Sequence, residues 1–239
     1  MPKKTYTFKL VDDLSKLHER ATEIDVTVEN ERVKEIVRNL KKALEDNPEL
    51  PAIAATQLGY DARIFCVKFA DGDIREFINP MISKSEGLHL SRESCKGLGD
   101  AEYIIPRNDR IIAIYETANK KITSNKFEGA AAEIFQQMTN MLDGMLICDL
   151  GLEILPEFDE APDEEKQEVI GWYLDQLKAT SEDLREEIEK DPELKQMKGA
   201  VDFLTKAANG EIEIEKIKHE VPKAEEAVAE EEKKEANEA

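Results

Sequence analysis

The chain is poor in the side chains that usually supply cross-links or metal ligands: three cysteines, three histidines and one tryptophan in 239 residues. Three is an odd and small number of cysteines. Cys66, Cys95 and Cys148 therefore make no disulfide framework and fit a reducing compartment. No apolar run approaches the roughly 20 residues needed to span a bilayer, which excludes a membrane-crossing helix. Lys3 and Lys4 have no apolar stretch behind them, so no signal peptide is expected and the cytoplasm is the expected location. Positive charge is short as well. Against 53 acidic residues stand 33 Lys and Arg, leaving a net charge of -20. Such a balance repels nucleic-acid phosphates and anionic lipid, and argues against both as main partners.

What remains is ordinary for a packed protein with a charged exterior: 41% hydrophobic and 36% charged residues, enough for one medium domain and an appendage. Thr5 to Leu10 alternates like a short strand. Val33, Ile36, Val37, Leu40 and Leu44 fall at helical spacing, predicting a helix over Glu31 to Leu44 with Asn30 as N-cap and Asn47-Pro48 as its stop. Arg63 to Phe69 is β-branched and aromatic and precedes the turn Asp71-Gly72-Asp73. Phe77-Ile78 leads into Asn79-Pro80. Arg110 to Tyr115 and Lys121 to Phe127 frame a hairpin at Ala118-Asn119-Lys120. Glu128-Gly129 opens a second helix, with Ala131, Ile134, Met138, Met141, Leu142 and Met145 on its apolar stripe. Strands followed by a helix, not alternating with helices, predict an α+β fold.

From Pro156 the composition shifts to acids and helix formers. Val169, Ile170, Trp172, Tyr173 and Leu177 mark a helix over Glu168 to Leu177. Thr180-Ser181-Glu182-Asp183 resembles a capping box for another, Asp191-Pro192 suits a further helix start, and Asn209-Gly210 closes it. The organisation expected is a domain over residues 1–155, a helical appendage over 156–210, and a Glu/Lys/Ala tail over 211–239 that lacks the apolar residues to pack.

Three segments, in order, resemble the signature motifs of the peptide deformylase family. Leu50-Pro51-Ala52-Ile53-Ala54-Ala55-Thr56-Gln57 keeps the Ala-Ala-x-Gln half of the family's Gly-x-Gly-x-Ala-Ala-x-Gln, with Leu50 and Ala52 in place of the glycines. Asn79-Pro80 and then Glu93-Ser94-Cys95-Lys96-Gly97 resemble the Asn-Pro turn and the Glu-Gly-Cys-Leu-Ser motif, and Ile105-Pro106-Arg107 the lead into the next hairpin. Gln136 to Gly144 lies along Gln-His-Glu-x-Asp-His-Leu-x-Gly. There Gln136, Leu142 and Gly144 match, while Gln137, Met138, Asn140 and Met141 replace His, Glu, Asp and His; Asp149 matches an acid that often follows. The resemblance covers roughly residues 5 to 150. It implies a mixed sheet packed around a central helix, here with the C-terminal helical appendage added.

In a His-Glu-x-x-His helix, positions i and i+4 point the same way and grip one metal, and the Glu moves protons for the metal-bound water. The resemblance adds a cysteine thiolate as third ligand, at Cys95, and a glutamine amide at the oxyanion, at Gln57. Gln137 offers zinc only an amide oxygen, Met141 a thioether suited to copper(I), and Met138 cannot carry a proton. Two readings follow for Met138 and Met141: a soft copper(I) site with Cys95, or a former metal pocket plugged by methionine, which fills irregular gaps. The second is simpler, and no metal, cofactor or catalytic residue is expected, with Gln57, Cys95, Gln137, Met138 and Met141 as relic positions. Cys95 is either a packed relic or a thiolate favoured by Arg92 and Lys96. His18, His89 and His219 lack metal-site spacing to one another, and His89 reads as a surface-loop histidine.

The expected role is therefore a catalytically inactive deformylase-like protein that acts by binding another protein, in a ribosome-associated or phage-particle assembly, with Trp172 and Tyr173 as interface anchors. The alternatives are a metal-dependent deformylase that removes formyl from nascent Met through atypical ligands, and a formyl-peptide binder that does not cleave. Leu50 and Ala52 in place of glycine speak against the last, because they hinder close backbone approach.

Overall fold

The computed structural model describes residues 13–69, 71–95 and 101–190, with side chains described to residue 179. The predicted strand at Thr5 to Leu10, the helix signals at Asp191-Pro192 and Asn209-Gly210, the acidic tail and His219 lie outside these residues. In order, the elements are α1 (Leu14–Leu17), α2 (Asn30–Asp46), β1 (Ala52–Ala54), a 3-10 turn (Ala55–Leu58), β2 (Ile64–Lys68), β3 (Ile74–Glu86) and β4 (His89–Ser94). Then come β5 (Glu102–Arg107), β6 (Arg110–Glu116), β7 (Ile122–Glu128), α3 (Gly129–Leu142), α4 (Ile147–Leu150), β8 (Leu152–Ile154), a second 3-10 turn (Pro156–Phe158) and α5 (Asp163–Lys190). None of the described helices is long and apolar enough to cross a membrane.

The α+β class holds, with one change. In place of a mixed sheet there are two sheets, β1-β2-β3-β6-β7 and β4-β5-β8, and every pair of neighbouring strands is antiparallel. Across β1 to β3 the larger sheet is covered on both faces, which its period of two makes possible, while β7 stays largely open to solvent. Ala52, Ala54, Phe65, Val67 and Phe77 join a core with α3, while Ile53, Ile64, Cys66, Ile74 and Ile78 join a core with α2. In the first core Phe135 of α3 stands edge-on to Phe65 at 5.0 Å and stacks on Phe127 at 5.0 Å between ring centres. Such pairs add roughly 0.5–1.5 kcal/mol beyond the area they bury.

Helix α2 buries the predicted stripe, Val33, Ile36, Val37, Leu40 and Leu44. Its N-cap is Glu29 rather than Asn30, which is already helical. The turn before it is held instead by Asp25, whose Oδ1 accepts from the backbone N–H groups of Thr27 and Val28 at 2.8 and 3.0 Å.

Asn79-Pro80 is not a turn but a bulge within β3, the central strand of the large sheet. Proline cannot donate to a ladder, so a central strand tolerates it only where pairing is interrupted. Asn79 sits at φ 48°. Its side chain takes over the missing pairing: Oδ1 accepts from Ile24 N at 3.0 Å, and Nδ2 donates to Ile24 O at 2.8 Å and to Glu116 Oε1 at 2.9 Å.

The capping signal at Thr180 to Asp183 does not begin a helix, because α5 runs unbroken through it. An N-cap needs an extended residue and a preceding break, and no glycine or proline lies between Gly171 and Asp191 to make one. Ile170, Tyr173, Leu174 and Leu177 of α5 pack on Leu90 and Ile104 in a third core, over the three-stranded sheet.

Candidate functional site

The three motif segments converge. The 3-10 turn after β1 carries Gln57, the end of β4 carries Cys95, and α3 lies alongside both. Gln57 Oε1 accepts from Ala54 N at 2.9 Å, which turns its Nε2 toward Cys95 Sγ at 3.9 Å. Gln137 is half-buried, and its Nε2 donates to Ser94 O at 3.1 Å. The amide thus clips α3 to the last residue of β4. Met138 and Met141 are buried at 3% and 2% exposure in the same apolar core as Cys95, Phe135 and Leu142. Leu50 and Ala52, the glycine replacements, are buried too, one in each core of the large sheet.

This donor set does not suit a transition metal. Desolvation by burial, with the Glu93 charge beside it, pushes the Cys95 thiol up to about 12. The predicted help from Arg92 is absent, since its guanidinium donates to Glu102 and, at 2.8 and 2.9 Å, to Asp159. Those carboxylates hold Arg92 above its ordinary range, Asp159 first and Glu102 next. Lys96 lies outside the described residues. Gln137 is tied through its Nε2 to Ser94 O and offers only a neutral amide oxygen, and a thioether sunk in hydrocarbon is a poor ligand for zinc or iron(II). Among the described residues no three His, Cys, Asp or Glu side chains are grouped to hold a metal ion.

Two further matching motif residues, Gln136 and Gly144, have structural tasks. Gln136 binds the β5–β6 turn from both sides, accepting from Asn108 N at 2.9 Å and donating to Asn108 O at 3.0 Å. Gly144 is left-handed at φ +75°, and an added Cβ would lie 2.2 Å from His18 O. Only glycine lets the chain pass there.

The sequence-predicted histidine reading needs correction. His89 is 3% exposed, not a surface-loop residue. Its Nδ1 lies 2.7 Å from Asp109 Oδ1 and its Nε2 lies 2.8 Å from Glu133 Oε1. Of the two described histidines, His18 is the exposed one. Its Nε2 lies 3.0 Å from Asp149 Oδ2, and that hydrogen bond raises its proton affinity above the ordinary histidine value. Tyr173 is likewise not available as an interface anchor. It is buried, its hydroxyl donates to Leu150 O at 2.5 Å, and burial raises its phenol well above the usual range. Trp172, next to it, is 59% exposed.

Sequence reasoning also missed the buried pair Arg107–Glu93, which joins β5 to β4 two residues before Cys95. Arg107 Nη1 extends to Asn140 Oδ1 at 3.3 Å. The available signal was the polar alternation His89, Ser91, Glu93 along β4, which reads as a solvent face but turns inward here.

The sequence model of polypeptide deformylase matches residues 9–151, more than half of the chain and the whole convergent region. The chain belongs to the polypeptide deformylase family. Over 124 residues it is 31% identical to a peptide deformylase of Dictyoglomus turgidum, covering 52% of this chain and 80% of that one. Its backbone resembles the peptide deformylase of Thermotoga maritima, with a TM-score of 0.54 at 24% identity over 61% of this chain and 96% of that one. It resembles equally a probable peptide deformylase from synechococcus phage S-SSM7, with a TM-score of 0.54 at 22% identity over 60% and 98%. At these identities the two structures speak to the shared fold alone.

Proposed function

We propose that this member of the polypeptide deformylase family is catalytically inactive and acts by binding another protein, as an interaction or assembly component. One observation carries the reading. The positions that align with two imidazoles and a proton carrier hold an amide bonded to Ser94 O and two thioethers buried in the core. Loss of a general base alone typically costs about 10² to 10⁴ in rate, and loss of two ligands removes the activated water as well. The charge of -20 favours a basic protein surface over phosphate or lipid, and a ribosome-associated or phage-particle setting is the form of assembly we favour. The exposed Trp172 supplies a contact residue of the type enriched at interfaces.

The test is metal analysis of protein purified without chelator, paired with a formate-release assay on a formyl-Met peptide. The expected result is no stoichiometric iron, nickel or zinc and no turnover. Bound metal with turnover would overturn the proposal.

The second reading is a metal-dependent peptide deformylase with atypical ligands. It is favoured by the retained proximity of Gln57 and Cys95 and by relatives that carry that name. Repeating the assay after incubation with iron(II), nickel or zinc separates the two, because only this reading gives metal-dependent formate.

A further inference from the structure

Strand β7 is the last strand of the large sheet, with β6 on one side and no described strand on the other. At the mouth of the β6–β7 hairpin Thr117 N donates to Lys121 O at 3.0 Å. Hydrogen-bonded pairs alternate along an antiparallel ladder. With Tyr115 opposite Thr123 and Ala113 opposite Asn125, the backbone groups of Thr123, Asn125 and Phe127 turn toward β6. Those of Ile122, Ser124 and Lys126 turn outward, and no backbone partner meets them among the described residues. Such an edge is a ready template for one more strand.

One face beside this edge is apolar. Ile122 is 71% and Met81 54% exposed, and Ile112 and Ile114 are half-buried. Met81 lies opposite Ile114, and Ile114 opposite Ser124, so the apolar rows run out to the edge. They lie beyond the part of this face that α2 covers at Ile78. Lys120, Lys121 and Lys126 stand exposed along the same border. Of these, only Lys126 has an ion-pair partner among the described residues, Glu128 at 2.6 Å. In a chain of net charge -20 the border is locally basic.

We propose that residues 211–215 of the same chain dock on this edge as an added strand. Their sequence, Glu-Ile-Glu-Ile-Glu, has a strict period of two that sets Ile212 and Ile214 on one face and acids on the other. The tail as a whole lacks the apolar residues to pack by itself, so these isoleucines gain burial only against a surface such as Ile122, Ile114 and Met81. With the isoleucines on the face of Ile122, the acids lie on the opposite face, which is that of Lys121. Charge decides against the other occupants. Thr5 to Leu10 also alternates, but residues 1–11 carry Lys3, Lys4 and Lys9 and no acid. A second copy of β7 would bring lysines of one copy close to lysines of the other. The connecting stretch 191–210 spans about 30 Å if wholly helical, roughly the width of a small domain, and about twice that if extended. A tethered strand needs little intrinsic affinity, since its effective concentration is on the order of millimolar. Docking pairs the outward N–H and C=O groups and shields an edge that is otherwise open to aggregation.

Residue-resolved amide exchange on the full chain is the test. The amides of Ile122, Ser124 and Lys126 are expected to exchange about tenfold or more slowly in the wild type than in a variant carrying Ile212→Asp and Ile214→Asp. The amides of Thr123, Asn125 and Phe127, which donate to β6, should exchange alike in both and so report that the hairpin is intact. Methyl contacts between Ile122 and Ile212 or Ile214 in the monomeric wild type give a second readout in favour of docking. Outward amides that exchange equally in the wild type and the variant overturn the proposal. Protection that grows with protein concentration also overturns it, because it marks a second copy on the edge.

Discussion

Arg107 and Glu93 meet through two hydrogen bonds, Nε to Oε1 at 2.6 Å and Nη2 to Oε2 at 2.7 Å, with both side chains almost wholly out of water. They join β5 to β4 directly beside the convergent site. A buried ion pair of this kind adds little net stability over an apolar pair, but removing one partner leaves the other charge uncompensated. Glu93→Gln or Arg107→Met is therefore expected to lower the free energy of unfolding by about 3–5 kcal/mol. Denaturant titration with an unchanged slope checks this, and a loss within about 0.5 kcal/mol would show that water already reaches the pair.

Alkylation should sort the cysteines by burial. Cys66 and Cys95 are buried with thiols raised by desolvation, whereas Cys148 is half-buried. Since the thiolate is the nucleophile, iodoacetamide at mildly alkaline pH should label Cys148 first in the folded protein. Cys95 and Cys66 should follow only under denaturant. Peptide mass spectrometry reads the order, and rapid labelling of Cys95 would mean that its pocket opens.

Rebuilding the family's helix is informative through stability as well as activity. Gln137→His, Met138→Glu and Met141→His together place two imidazoles at i and i+4 and a carboxylate in hydrocarbon. Without metal the triple variant should unfold at a markedly lower temperature, because a buried carboxylate lacks a partner. Zinc or nickel should restore part of that loss by binding the folded state alone. Deformylation should stay poor, since the first two motifs are also altered. High turnover would show that those other changes do not matter.

The exposed pair His18–Asp149 sets a small pH dependence of its own. Its hydrogen bond raises the proton affinity of His18 in the folded chain. The contribution is complete below the ordinary histidine range and fades as pH rises through the folded value. Both side chains are about two-fifths exposed, so the effect should stay under about 1 kcal/mol. Asp149→Asn should flatten this part of the curve, and a pH profile unchanged by the substitution would show that the pair contributes nothing.

Much of the fold was legible wherever one face of an element meets a core and the other meets water. The stripe of α2 and the hairpin of β6 and β7 are of this kind, and the strand over Ile64–Lys68, apolar on both covered faces, reads from its unbroken β-branched and aromatic run. Legibility failed where both faces are covered and one of them is polar. In β4 the residues His89, Ser91 and Glu93 point at α3 while Leu90 joins the core under α5, so the polar stripe looks like a solvent face and is not one. Tyr173 and Trp172 have equal claims in the sequence, and only the position of Leu150 and the third core decides which is taken inside. The convergence of Gln57, Cys95 and Gln137 was legible from motif order, whereas the partners of His89 come from a turn and a helix 20 and 44 residues away.

Helix α5 begins past residue 151, where the family match ends, yet Tyr173 is tied to Leu150 and four of its residues roof Leu90 and Ile104. A gene trimmed to the recognisable portion would thus strip the lid from a greasy floor. Such a fragment should clump or misbehave for reasons unrelated to what the intact molecule does, and experiments on the truncated portion would misjudge the whole.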